Sequence, residues 1–313
     1  MRRIAGRMAL GIVVLLVVAV GASVRRDLPV EALRATYANA DSRFATVEGV
    51  PAHFRDRGRG PAVLLLHGSN ASLHTWEPWA AGLVADHRVV TVDLPGHGLT
   101  GPWPPDSARG YTTEDFVAFV DAFARARGLD RFTLAGNSMG GRIAWHYALA
   151  HPERVERLVL VDAASYPMPP HAALGFRLLH SPVGRALSRW VSPRSVFVST
   201  LQASYADPTK VTPELVDRYW ELNRRTGNRA ATQARFALPP ADDPELPRLR
   251  SLAVPTLVLW GREDHLIPVA HGERLHDEIA GSTLRIYDGV GHLPQEEAPE
   301  RSLADLRAFL GGA

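Results

Sequence analysis

The chain has 313 residues, of which 46 % are hydrophobic and 22 % charged, and a formal charge of +2. That balance excludes a disordered chain and allows one large α/β domain with an insertion or two ordinary domains. With no cysteine, disulfides, thiolate metal sites and cysteine nucleophiles are excluded, and beyond the N-terminus no block of like charge suited to gripping nucleic acid is present.

Residues 1–24 stand apart. Arg2, Arg3 and Arg7 precede Met8–Val24, a run of 17 residues without a charge. As a helix this run is about 26 Å long, close to the bilayer core of about 30 Å. It reads either as a cleaved signal, with Ala19-Val20-Gly21 at the cleavage positions, or as an uncleaved membrane anchor. The anchor is preferred because the run exceeds the usual signal core of about 7–15 residues. The leading arginines favour a cytoplasmic N-terminus, so in either case the body that follows faces outward.

Residues 25–42 read as a linker, in which Leu28–Asp41 is a polar, partly helical connector. Two short β patterns follow, Arg43–Val47 and Ala52–Arg57, separated by a turn at Gly49. Pro61–His67 is a continuous apolar run that suits a strand buried on both faces of a parallel sheet. The pattern returns at Arg88–Asp93, Arg131–Gly136, Val155–Asp162 and Thr256–Gly261. Helical stretches such as Thr113–Arg127 and Gly140–Ala150 lie between these runs. Strand and helix alternating at this spacing predict an α/β fold, a mostly parallel central sheet flanked by helices. Ligands then bind beyond the carboxyl ends of the strands. Residues 163–250 break the alternation. They are rich in proline, carry helical patterns with Trp190, Phe197, Tyr219 and Trp220, and contain no buried-strand run. They read as a helical cap inserted into a core built from residues 43–162 and 251–313.

The chemistry-bearing residues fall in the loops after the strand runs. Gly136-Asn137-Ser138-Met139-Gly140 follows one such run and opens a helix, the context of a G-x-S-x-G nucleophile elbow. The turn must lift the Ser138 hydroxyl out of the sheet in a strained conformation, and glycines at 136 and 140 leave room for it. Serine at its ordinary pKa needs a base. Of the 13 histidines, His292 is the best placed, in a glycine-bearing loop after the strand run Thr283–Tyr287. His67 and His97 precede the nucleophile and fit other roles, His67 that of bracing its loop. The base needs a carboxylate to hold its tautomer. Asp264 completes the chain order Ser, Asp, His; its neighbour Glu263 would point the other way, and Asp162 at the end of its own strand is the competitor. The backbone amides of Ser69 and Met139 are expected to form the oxyanion hole. Asp93–Gly98 is a turn-rich loop expected to shape the rim of the site. No metal-ligand cluster or phosphate-cradling glycine motif appears, so no cofactor is expected.

His67-Gly68-Ser69, Asp93-Leu-Pro-Gly-His-Gly98, Gly136-Asn-Ser-Met-Gly-Gly141, Gly261-Arg-Glu-Asp264 and Gly291-His292 together resemble the α/β-hydrolase superfamily. The resemblance runs from about residue 43 to the C-terminus and implies a Ser-Asp-His hydrolase. Similar members include carboxylesterases, lipases, lactonases, prolyl aminopeptidases and hydrolases that cleave carbon–carbon bonds of ring-fission products. Haloalkane dehalogenases and epoxide hydrolases carry Asp where this chain has Ser138, which argues against an alkyl-enzyme mechanism. The Gly-Asn-Ser-Met-Gly-Gly stretch is similar to the ring-fission hydrolases. Those commonly place a Trp after the catalytic His, where this chain has Leu293-Pro294-Gln295-Glu296. The expected function is hydrolysis of a carboxylic ester or lactone with an apolar portion shaped by the cap aromatics. Carbon–carbon cleavage is the alternative, and a non-catalytic ligand-binding module on the same fold is the alternative of another class.

Overall fold

The computed structural model describes residues 26–167, 181, 184, 192–238 and 243–311. Among these, no helix is long and apolar enough to cross a membrane; the anchor or signal expected over residues 1–24 lies outside the described residues.

The connector contains a helix, α1 (Val30–Tyr37). It is not a free linker: Leu28 exchanges backbone hydrogen bonds with Arg224 and Thr226, at 2.7 and 3.0 Å, and Leu33 packs with Leu99 and Leu222. The chain then forms β1 (Ser42–Val47) and β2 (Val50–Arg57), an antiparallel pair. After β3 (Ala62–Leu66) comes α2 (Glu77–Leu83), a helix that no strong pattern announces. The run continues through β4 (Arg88–Val92), α3 (Thr113–Ala126), β5 (Phe132–Asn137), α4 (Met139–Ala150) and β6 (Val155–Val161). Helix α3 starts where Thr112 and Asp115 cap each other reciprocally, which satisfies two otherwise orphaned amides.

Between β6 and β7 the described residues form only helical elements, chiefly α5 (Arg194–Ser204), α6 (Pro213–Asn223) and α7 (Asn228–Ala237). Trp190 lies outside the described residues. The sheet resumes with β7 (Thr256–Gly261), followed by α8 (Val269–Glu278), β8 (Thr283–Tyr287), the short α9 (Pro294–Glu297) and α10 (Pro299–Gly311). All eight strands form one sheet in the order β1-β2-β4-β3-β5-β6-β7-β8. Apart from the β1–β2 and β2–β4 pairs the sheet is parallel.

The apolar runs explain themselves in three dimensions. In β3, Val63 and Leu65 face one cluster with Trp76 and Trp79, while Leu64 and Leu66 face another with Phe116, Phe119 and Trp145. A strand covered on both faces needs no polar side, so periodicity is lost from its sequence.

Two aspartates expected inside strand runs, Asp93 and Asp162, sit just past the strand ends. Asp93 is fully buried and accepts hydrogen bonds from the Leu73 and Leu99 amides, at 2.7 and 2.8 Å, and from His53 Nδ1 at 2.7 Å. Burial alone would push its carboxyl up, but the facing His53 outweighs that and holds it below the usual carboxylate range. The Asp93–Gly98 loop is thus anchored from inside. A carboxylate held low stabilises the fold above the unfolded-chain value of about 3.9, and that contribution fades as pH falls below it. Asp93→Ala is expected to lower unfolding free energy by about 3–5 kcal/mol, since His53 and two amides lose their acceptor. Urea denaturation at pH 7 measures this, and an unchanged midpoint would contradict it.

Candidate active site

The elbow forms because β5 runs straight into α4 with one residue between them. That residue is Ser138, at φ 56° and ψ −117°, a left-handed geometry that costs a non-glycine residue about 1–3 kcal/mol. Its amide donates to Val161 O at 3.0 Å, and its carbonyl accepts from Arg142 and Ala164 at 3.1 and 3.0 Å. The strain is held in place from three directions. A Cβ at Gly136 would lie 2.2 Å from Gly140 O, and one at Gly140 would lie 2.2 Å from Leu66 O, so the glycines are required by backbone contact. The first turn of α4 directs its unpaired amides and positive dipole end toward the serine.

The loop after β3 reaches the same point. A Cβ at Gly68 would stand 3.1 Å from Ser138 Cβ, which brings the loop that carries Ser69 against the elbow. His67 braces this loop, with Nδ1 2.8 Å from Gly68 O and Nε2 accepting from the Leu94 amide at 3.0 Å. Burial lowers the His67 pKa, consistent with a neutral structural imidazole.

His292 comes from the loop between β8 and α9. Its Nδ1 lies 2.7 Å from Asp264 Oδ2, with both side chains buried. The other Asp264 oxygen accepts from the Leu266 and Ile267 amides, at 2.8 and 2.9 Å. Fixed in this way, Asp264 holds the proton on Nδ1 and leaves Nε2 free to act as a base. Glu263 does point elsewhere: it accepts from the Gly289 and Val290 amides, at 2.8 and 3.1 Å.

Asp162 is close but differently employed. One oxygen of Asp162, one of Asp264 and an imidazole nitrogen of His292 lie within 4.8 Å of one another. Asp162 Oδ1 accepts from the Gly261 amide at 3.0 Å, while the fully buried Oδ2 has no donor facing it. Burial first, and then the Asp264 carboxylate, push the Asp162 carboxyl well above its usual range. Two adjacent buried carboxyls cannot both ionise. Asp162 is therefore the member of the pair pushed toward its neutral form. These three residues are also the group among those described that could ligate a metal. With Asp264 already accepting three hydrogen bonds and Asp162 pushed toward its neutral form, the donor set fits a hydrogen-bonded relay.

Three further residues shape the site without having stood out in the sequence. Asn137 Nδ2 donates to Val161 O and His292 O, both at 3.1 Å, tying the elbow to the histidine loop. Glu297 Oε2 accepts from the Gly291 and Ala206 amides, at 2.7 and 3.1 Å, and Oε1 from Asp207 at 2.8 Å. One buried carboxylate thus joins the histidine loop to the segment after α5. On the opposite side Arg235 of α7 donates to Ser69 Oγ at 2.8 Å and Asn70 Oδ1 at 3.0 Å. Asn137 was visible only as the variable position of the elbow; the other two carried no local signal.

The model of the alpha/beta hydrolase fold family matches residues 61–299, and the chain belongs to that family. It is 30 % identical over 260 residues to a 2-hydroxy-6-oxo-6-phenylhexa-2,4-dienoate hydrolase of Comamonas testosteroni, covering 78 % of this chain and 86 % of the relative. Among solved structures, a membrane phospholipase A described as a bacterial virulence factor superposes with a TM-score of 0.74 at 28 % identity, covering 97 % of this chain and 98 % of that one. A thermophilic esterase from Thermogutta terrifontis superposes with a TM-score of 0.71 at 26 % identity, covering 87 % of this chain and 98 % of that one. The chain is thus a hydrolase of the α/β fold.

The carboxyl pair makes an asymmetric prediction. Asparagine at 162 keeps an acceptor for Gly261 and a donor for Asp264, so Asp162→Asn is expected to retain hydrolytic kcat within about three-fold. Asp264→Asn removes the charge and inverts the imidazole tautomer, with an expected loss of about 10⁴-fold. Steady-state turnover of both variants decides between them; equal losses would place the charge on Asp162 or share it.

Proposed function

We propose that the chain is a serine hydrolase that cleaves a carboxylic ester or lactone through an acyl-enzyme on Ser138. The observation that carries this reading is the 2.7 Å His292–Asp264 pair, tied through Asn137 to the elbow that holds Ser138 at φ 56°. Ser138 Oγ attacks the carbonyl while His292 Nε2 takes its proton, and Asp264 stabilises the imidazolium that results. The tetrahedral oxyanion is received by the Ser69 and Met139 amides, each donor contributing about 3 kcal/mol of transition-state stabilisation. His292 returns the proton to the leaving alcohol, and a water repeats the sequence on the acyl-enzyme. The similarity to an esterase and a phospholipase A supports ester chemistry. No cofactor enters any step, and the substrate is a small molecule with an apolar portion.

The second reading, carbon–carbon cleavage of a ring-fission dienoate, is favoured by the 30 % identity to the Comamonas hydrolase. Against it stands Leu293, buried beside His292, where those hydrolases commonly carry Trp. A fluorophosphonate probe is expected to label the wild type and leave Ser138→Ala unlabelled; labelling of both would overturn the nucleophile. Turnover of short-chain para-nitrophenyl esters is expected to exceed that of a phenyl-substituted dienoate, and the reverse ratio would favour the second reading.

The proposal extends to place. The phospholipase A that this chain resembles is described as a membrane protein. With the uncharged run Met8–Val24, this supports an N-terminal membrane anchor with the catalytic body outside the cytoplasm, or export after signal cleavage. The full chain is expected to sediment with membranes through a carbonate wash and to become soluble when residues 1–24 are deleted. Release of the full chain by the wash, with an intact N-terminus by mass spectrometry, would overturn the anchor.

A further inference from the structure

Arg235 does more than touch the loop after β3. Its Nη1 lies 2.7 Å from His97 Nε2, and its Nη2 donates to Ser69 Oγ and Asn70 Oδ1. Every one of these acceptors is neutral. Burial holds the His97 imidazole well below its ordinary pKa, and Nδ1 of that ring lies 3.0 Å from Pro95 O. Burial lowers the Arg235 guanidinium only to about 10, so it remains a cation at neutral pH. Among the described residues no carboxylate forms an ion pair with it.

Its neighbour shows what a compensated cation looks like here. Arg142 lies 2.6 Å from Asp243 Oδ2, which also accepts from His146 at 2.8 Å. Arg142 further donates to Thr113 Oγ1 at 3.2 Å. Both arginines line one cavity of about 190 Å³, together with Tyr111, Thr113 and Met139. Met139 follows the nucleophile in the chain and Arg235 touches Ser69, so the cavity borders the first turn of α4 and the loop after β3. Its volume is below the roughly 300–1,000 Å³ of pockets that enclose a whole ligand, and fits one end of a substrate. Neutral acceptors solvate this half-buried cation without neutralising it, which leaves it able to take an anion.

We infer that this cavity is an anion subsite: the substrate is an ester carrying a carboxylate or phosphate group, which Arg235 binds while Ser138 attacks the ester carbonyl. This rests on the ester reading above. The Nε–H and the second Nη1–H of Arg235 make no hydrogen bond to the described residues, and Tyr111 and Thr113 offer hydroxyls around the same space. Because Arg235 also holds Ser69 and Asn70, an anion at this place is sensed by the loop that receives the oxyanion.

Two substrate pairs separate the carboxylate source from the phosphate source. The first is para-nitrophenyl hexanoate against the para-nitrophenyl monoester of adipic acid. The second is diacylglycerol against phosphatidylglycerol of the same chain length, both in mixed micelles. The full-length wild type is expected to prefer the anionic member by about ten-fold or more in kcat/KM in at least one pair, the scale of one charge-assisted hydrogen bond. Preference in the first pair identifies a carboxylate, and in the second a phosphodiester. Arg235→Met is expected to reduce that preference to within about two-fold, and Arg235→Lys to keep most of it. The subsite is overturned by equal rates within both pairs. It is overturned equally if Arg235→Met slows anionic and neutral esters alike, for the residue is then a latch on the Ser69 loop. Turnover of none of the four esters overturns the ester reading, and the subsite with it.

Discussion

The site depends on one constraint, the close approach of backbone at the carboxyl edge of the sheet. Ser138 is pinned at φ 56° because β5, α4 and the loop after β3 meet with no space for side chains at Gly136, Gly140 or Gly68. Backbone packed against backbone has no rotamers through which to relax, so the strain at the serine persists. The hydroxyl is therefore presented in one direction, and the amides on either side of it are fixed with it.

The partners of Ser138 are positioned by tethers that extend well beyond the family motifs. Asn137 joins the elbow to the histidine loop, Glu297 joins that loop to the segment after α5, and Arg235 joins α7 to the loop after β3. Glu296 adds Tyr205, Tyr219 and Arg218 at 2.7, 3.0 and 3.0 Å. Residues between β6 and β7 thus hold both the histidine loop and the loop after β3. Even the connector before β1 is part of this assembly, through its backbone pairing with Arg224 and Thr226.

Charge is handled differently at three buried places. Asp93 stays ionised because His53 and two amides face it. Asp162 is pushed toward its neutral form by burial first and by the Asp264 carboxylate second. Arg235 keeps its charge among the neutral acceptors His97, Ser69 and Asn70. In each case the neighbours decide the protonation state, and those neighbours are distant in sequence.

The strands, the elbow and the order Ser, Asp, His were legible along the chain because each is local. A run such as Val63–Leu66 needs no partner to be recognised as buried on both faces, and Gly136-Asn137-Ser138-Met139-Gly140 contains its own steric logic. The insertion was legible as helical from its lack of strand runs, yet its contacts were not. The division of labour between Asp264 and Asp162 was open for the same reason: both follow strands, and only their placement shows which one meets His292. Sequence by itself determined the α/β fold class and the strand-to-helix turn that carries Ser138. Tertiary structure decided which carboxyl meets His292, which tethers hold the histidine loop, and where among the described residues a cation has only neutral acceptors. Those depend on distances between segments up to 166 residues apart, as between Ser69 and Arg235, and local patterning does not encode such distances.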